Sequence, residues 1–280
     1  MPPGVAAPDR IESRLGTLEL FDGFPSARTA ETLFDNLDFQ RAVQAYLLAI
    51  PAVSQVTSRN AILTLGPVNT VVPFFNMDAR TVELTANDNT TYTWTWIDLS
   101  GGPLVVEAPP EVRGGVNDIW FRWVVDVGFT GPDKGRGGKF LFLPPGHAGA
   151  TPDGYHVVQS PTFNLWCPWR TFRVNGDSGP GMERTRKFTK IYRLADAGKP
   201  APALNFIDMS GKPFNTVAPT DYSFWELLNQ AVQEEPSASL DQIRLGYYQS
   251  LGIEKGTPFA PDARMKKILE EAAAVGDATA

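Results

Sequence analysis

The stretch Asp118-Ile119-Trp120-Phe121-Arg122-Trp123-Val124-Val125-Asp126-Val127-Gly128 decides how the rest of the chain is read. Taken with the two-residue period of a strand, it separates into two faces. Ile119, Phe121, Trp123, Val125 and Val127 make one apolar face; Asp118, Trp120, Arg122, Val124 and Asp126 make the other. A half-exposed strand turns a plainly polar face to water. Here the second face carries a tryptophan, a valine and an Asp–Arg–Asp stripe, so the segment reads as a central strand covered on both sides. Same-face residues two apart lie about 7 Å from each other, which puts Arg122 within reach of both carboxylates. Burying such charges without pairing costs several kcal/mol. The trio is therefore expected either to satisfy itself as a structural salt-bridge ladder or to point into a wet cleft.

Outward from this segment the period stays at two, from about residue 60 to 210. Candidate strands fall at 61–65, Val71–Asn76, 82–85, 92–99, 104–107, 139–143, 155–159, 162–165, 170–174 and 187–193. In Tyr92-Thr93-Trp94-Thr95-Trp96-Ile97 an aromatic face alternates with threonines, the pattern of a half-buried antiparallel strand. No strand–helix–strand alternation occurs, which argues against a parallel sheet. Gly131-Pro132-Asp133-Lys134-Gly135-Arg136-Gly137-Gly138 reads as a long hairpin connection. It fails as a phosphate-binding loop, because no Ser or Thr follows Gly138-Lys139 and Asp133 stands where a glycine is required.

On either side the period becomes helical. A first helix is expected over 27–37, entered through Pro25-Ser26. Asp38 caps a second, with Phe39, Val43, Tyr46, Leu47 and Ile50 at helical spacing, and Pro51 ends it. In the tail, Asp221 caps a helix over 224–234, a second covers 240–251 up to Gly252, and a third covers 262–275. The fold class is therefore mainly β with helices: an antiparallel β-sandwich or jelly-roll-like core flanked by N-terminal and C-terminal α-helices. The expected division is a loose arm over 1–16, a helical segment over 17–58, the β-sandwich domain over 59–212 and a C-terminal helical segment over 213–280.

Composition narrows the function. The 280 residues are 42% hydrophobic and 11% aromatic, enough for a sizeable core, and 25 glycines with 24 prolines suit many short strands. A net charge of −6 without a basic stripe argues against nucleic acid as a partner. Cys167 is alone, which excludes an intrachain disulfide and a cysteine-based zinc site; between Trp166 and Pro168 it reads as a core residue. No run of 18 apolar residues spans a membrane. The start, Met1-Pro2-Pro3-Gly4-Val5-Ala6-Ala7-Pro8, lacks the layout of a signal peptide. That is compatible with a cytoplasmic chain, or with a periplasmic or secreted one whose leader was removed.

Only two histidines occur, His147 and His156, bracketing a turn. With Asp153 or Asp126 they would make a two-histidine, one-carboxylate set, but the close histidine pair of jelly-roll metal enzymes is missing, and neither a metal nor a cofactor is expected. No Gly-x-Ser-x-Gly elbow supports a serine nucleophile. Trp94, Trp96, Trp120, Trp123, Trp166, Trp169, Arg122, Arg170 and Arg173 all fall in the β region, and alternation puts most of them in the core. Trp120 is the exception, since it shares the charged face. The candidate ligand-binding set is Trp120, Arg122, Asp118, Asp126 and Arg170.

Leu15-Gly16-Thr17-Leu18 through Gly23-Phe24-Pro25-Ser26, the run Ala45-Tyr46-Leu47-Leu48-Ala49-Ile50-Pro51, and the 118–128 block resemble the bacterial family called domain of unknown function 1254. So do Gly137-Gly138-Lys139-Phe140 to Leu143-Pro144-Pro145-Gly146, and Gly252-Ile253-Glu254-Lys255-Gly256-Thr257-Pro258 onward to Arg264. The resemblance covers about residues 12–277. It implies a β-sandwich or jelly-roll architecture with flanking helices, in a family without an established activity. Members of that family commonly continue into a second β domain after the last helix, and the sequence here stops at Ala280. Three functional expectations follow. The first is a module binding a small molecule or a partner chain in a cleft on the central sheet. The second is a hydrolase or lyase using an Asp/Arg cleft. The third is an interaction subunit, a homo-oligomer or one half of a pair with a second β domain.

Overall fold

The computed structural model describes residues 8–82 and 87–280. Fifteen strands and five α-helices occur among them. In chain order the strands and helices are β1 (Arg10–Ser13), β2 (Gly16–Phe21), β3 (Phe24–Pro25), α1 (Ala27–Leu63), β4 (Val71–Asn76), β5 (Thr81–Val82), β6 (Thr90–Asp98), β7 (Leu104–Ala108), β8 (Val112–Asp118), β9 (Trp123–Gly128), β10 (Gly138–Leu143), β11 (His156–Gln159), β12 (Asn164–Phe172), α2 (Gly179–Phe188), β13 (Lys190–Arg193), β14 (Asn205–Asp208), β15 (Phe214–Asn215), α3 (Ser223–Glu234), α4 (Gln242–Ser250) and α5 (Ala263–Thr279). The expected strand over 82–85 lies largely outside the described residues, as do the first seven residues of the expected arm. Residues 10–13 of that arm form β1 and pair with β2.

The chain forms two compact units, one of Met1–Leu48, Thr220–Glu226 and Gln242–Ala280, the other of Ala49–Pro219 and Leu227–Asp241. In the first, Tyr46 stacks on Phe224 with centroids 4.0 Å apart, and the Trp225 indole donates to the Leu269 carbonyl at 2.9 Å. Gly276 makes this packing close: a Cβ there would sit 2.5 Å from the Tyr46 ring. Asp262 caps α5 by accepting from the Met265 amide at 2.8 Å.

The second unit is a β-sandwich. A six-stranded sheet, in the order β14-β4-β6-β12-β8-β9, faces a four-stranded sheet, in the order β11-β10-β7-β13. Alternation supplies the shared core: Ile97 and Leu99; Val112 and Val116; Leu165, Cys167 and Trp169 from the larger sheet, against Leu104, Val106, Phe140, Phe142 and Ile191 from the smaller. Most pairings are antiparallel, while β10–β11, β4–β14 and β5–β15 run parallel. β6 is buried on both faces rather than half-buried, since Thr91, Thr93 and Thr95 pack inward as completely as its aromatics do outward. Burial also raises the Cys167 thiol pKa, which leaves it inert as a nucleophile.

Two prolines act differently from their sequence-level reading. Pro51 lies inside α1, which continues to Leu63 and absorbs the strand expected over 61–65. Buried Ala52, Val53, Val56 and Ile62 keep a helical spacing beyond it, and one lost backbone bond is outweighed by that packing. Pro168 does not separate two strands. β12 runs through it, and the ladder to β8 lapses at Cys167 and Pro168, where the missing donor would have been needed. The 131–138 loop is no hairpin either, because β9 and β10 belong to different sheets.

Within this unit α1 and α3 are joined through Arg59, almost wholly buried, which forks onto Glu234, and through Asn60, which donates to Gln230 at 3.1 Å. The neighbouring Glu235 is 1% exposed and accepts from the Phe163 amide (2.6 Å), the Asn164 amide (2.9 Å) and the Asn164 side chain (2.8 Å). Burial raises its pKa above the ordinary 4.5 and prevails over the three donors, which pull it down. A carboxyl that holds its proton more tightly when folded favours the native state at low pH, and that contribution is lost as pH rises through the folded pKa. Glu235→Gln turns an amide donor toward these N–H groups and is expected to cost about 1–3 kcal/mol. The cost should shrink as pH is raised from 4.5 toward neutrality. Denaturant unfolding of both proteins across that range checks this, and a cost that grows with pH would contradict the sign.

Candidate functional site

The 118–128 segment is not one strand. β8 ends at Asp118, β9 begins at Trp123, and residues 119–122 make a tight turn. Asp118 builds it. Its Oδ1 accepts from the amides of Trp120 (3.0 Å) and Arg122 (2.9 Å), and its Oδ2 accepts from Arg122 Nε (2.8 Å) and from the guanidinium terminus (2.7 Å). The backbone closes it with Phe121 N donating to Asp118 O and Asp118 N to Arg122 O, both 2.9 Å, while Phe121 takes a φ of +63°. An aspartate that bonds its own downstream amides competes with the ladder and turns the chain. β9 is consequently the rim of the sheet, and the expectation of an interior ribbon is overturned.

The same turn decides the fate of the expected site. Asp118 is fully buried and belongs to the turn. Trp120 is buried, and its indole donates to Ser239 Oγ at 2.8 Å. The Arg122 side chain, 47% exposed, is committed to Asp118. These three are brought together as a structural clamp, not as a cleft floor. Asp126 and Arg170 go elsewhere: both line a cleft of about 580 Å³ on the outer face of the six-stranded sheet, away from the sandwich core.

Strand register lays out this cleft as rows of neighbouring side chains. Tyr92, Arg170 and Arg113 form the first row, across β6, β12 and β8. Trp94 stands opposite Pro168, and Gly115 opposite Asp126, in the second. Trp166 and Asn117 pair in the third. Gly115 and the flat Pro168 leave a depression between the Trp94 ring and the Asp126 carboxylate. Trp94 and Trp166 meet edge to face at 5.1 Å, and Phe121 leans over Trp166 from the turn at 6.0 Å. Arg170 lies over the Tyr92 ring at 5.0 Å. Asp126 Oδ1 accepts from the exposed Trp123 indole at 3.0 Å. Neither Arg113 nor Arg170 forms an ion pair among the described residues, and both are exposed.

Tyr92, Trp94, Trp166 and Arg113 were thus the members that the sequence reading missed as a set. The first three sit in visible alternating runs, but their convergence depends on which strand lies beside which. His156 packs its ring 5.1 Å from Phe140, and His147 lies in the following turn region with Gly149. Among the described residues no three His, Cys, Asp or Glu side chains are grouped to hold a metal ion. No helix of the described residues is long and apolar enough to cross a membrane.

Comparison with known proteins bears on this geometry only through the fold. The crystal structure of the VPA0106 protein from Vibrio parahaemolyticus is similar with a TM-score of 0.61 at 19% identity, covering 87% of this chain and 58% of that one. The chain therefore spans little more than half of that relative's length. An uncharacterised protein from Burkholderia cenocepacia aligns at 13% identity over 87% of this chain and 57% of its own, with a TM-score of 0.29 that carries no weight. No curated protein matches. Residues 68–196, which hold nine of the ten strands of the sandwich and the whole cleft, match the family model described as protein of unknown function (DUF1254). This segment, from the loop before β4 through β13, thus belongs to the DUF1254 family that the sequence motifs resemble.

Proposed function

We propose that this protein is a small-molecule binding module whose ligand sits in the cleft on the outer face of the six-stranded sheet. The observation that supports this most is the depression at Gly115 and Pro168, where aromatic walls and polar groups of both signs converge on one concave surface. Such a combination of apolar walls with a few directed polar groups is what small-ligand sites are made of. Arg170→Ala tests it. Arg170 is exposed, so the free protein should lose no more than about 0.5 kcal/mol of stability. Ligand-induced melting shifts found in a small-molecule screen should fall away in the variant. A variant that keeps every such shift would remove Arg170 from the site.

A second reading is a hydrolase or lyase with Asp126 as general base and the arginines as anion clamp. It is supported by the presence of a carboxylate and two cations in one cleft. Screening hydrolytic and eliminating activities with Asp126→Asn as control separates the two readings, because a pure binder has no turnover for that substitution to abolish.

A further inference from the structure

We propose that the ligand of this cleft is a planar aromatic carboxylate, its carboxylate held by Arg113 and Arg170 and its ring lying on Pro168, in the row between the buried Trp94 and Asp126; this rests on the reading of the cleft as a ligand site. Register puts Arg113 and Arg170 directly opposite each other on paired antiparallel strands. Like charges in that position repel and destabilise the pair. No acidic side chain relieves them among the described residues, and Arg170 is instead held over the Tyr92 ring. Two arginines at opposed positions, with no ion-pair partner among the described residues, at the end of a cleft are a match for a carboxylate, which a guanidinium fork can grip with two parallel hydrogen bonds. An anion there replaces repulsion with two attractions.

The neighbouring row sets the rest of the ligand. Rows on one face of a sheet are about 7 Å apart, the span of one para-substituted benzene ring. The row beside the arginines holds the Trp94 ring on one side and Asp126 on the other, with glycine and proline between them. The Asp126 carboxylate stands over Gly115, where a Cβ would lie 3.3 Å from its Oδ1, so the flat ring lies on Pro168 beside that carboxylate. Asp126 is the acidic side chain lining the cleft. It favours a hydroxyl or amine at the far end of the ligand and repels a second anion.

The experiment titrates the whole chain with matched probes, following tryptophan fluorescence and melting temperature. The probes are para-hydroxybenzoate, its neutral amide, benzoate, terephthalate and sodium sulfate. The expected order has para-hydroxybenzoate binding at least about tenfold tighter than the amide, the effect of losing charge-assisted bonds. Its affinity should fall with added salt. It should weaken at least about tenfold in Arg113→Gln and in Arg170→Gln, while the lysine variants, which keep charge but lose the fork, fall between. An amide that binds as well as the acid overturns the anionic class and leaves the cleft reading intact. Sulfate binding as tightly as the aromatic acids overturns the planar ring. Terephthalate matching benzoate overturns the role given to Asp126. If no probe binds, this inference fails, and a wider neutral screen that is also silent takes the cleft reading with it.

Discussion

Asp118→Ala is expected to lower stability by about 3 kcal/mol, the cost of leaving the buried donors of the turn without their acceptor. For a chain of this size that is a fall of roughly 6–12 °C in melting temperature. The carboxylate is fully buried and takes four donors, two of them backbone amides of its own turn. Alanine leaves the Trp120 amide without a partner inside the protein and frees Arg122. Asp118→Asn keeps the shape and one acceptor, so it should cost less. Arg122→Ala should also cost less, because its half-exposed guanidinium is replaced by water while Asp118 keeps its two amides. Urea denaturation of the three variants checks the order. An alanine variant within about 0.5 kcal/mol of the parent would contradict the clamp, since that is the range of an uninvolved surface change.

Gly128→Ala is expected to be at least as damaging, at about 3 kcal/mol or more. Gly128 has a φ of +84°, where an L side chain costs about 1–2 kcal/mol. Its Cβ would also overlap the Val112 carbonyl oxygen, a backbone atom of the neighbouring strand. That carbonyl accepts from Phe129, and the Gly128 amide donates to Asp133 at 2.8 Å. Gly128 O in turn accepts from Gly131 and Gly135, at 2.9 and 3.0 Å. Moving the residue therefore strains the end of β9 and the loop folded over it together, and each orphaned buried group adds about 1–3 kcal/mol. Because Asp126 stands on the same strand, para-hydroxybenzoate binding should weaken with stability. Thermal melting and the same titration check both effects, and a Gly128→Ala protein that melts with the parent would show that β9 can shift without cost.

Particular residues show how far the chain could be read without coordinates. The short apolar runs in Val71–Asn76, in 104–107 and in 139–143 correspond to β4, β7 and β10 almost residue for residue, because strands buried on both faces read as near-continuous apolar runs bounded by turn residues. The tail helices follow from the same logic, with Asp262 capping α5 as its position ahead of an amphipathic run requires. The misread places share a cause. Pro51, Pro168 and Asp118 are residues whose local tendency is overridden by their surroundings. Packing carried α1 past Pro51. A lapse in one ladder accommodated Pro168. Buried amides recruited Asp118 to bend a run of apolar residues that otherwise looked continuous. α2, with four charged residues in ten, carries too little apolar pattern to announce itself.

By itself the sequence determined the class of fold, the faces of most strands and the caps of the last helices, since these depend on spacing within a few residues. Asp126 and Arg170 were legible as charged residues set among aromatics. That Arg170 stands between Tyr92 and Arg113, and that Gly115 opens a hollow before Asp126, was decided only by tertiary structure. Those neighbours come from different strands, and their adjacency is fixed by inter-strand hydrogen-bond register, which a one-residue slip would redirect entirely.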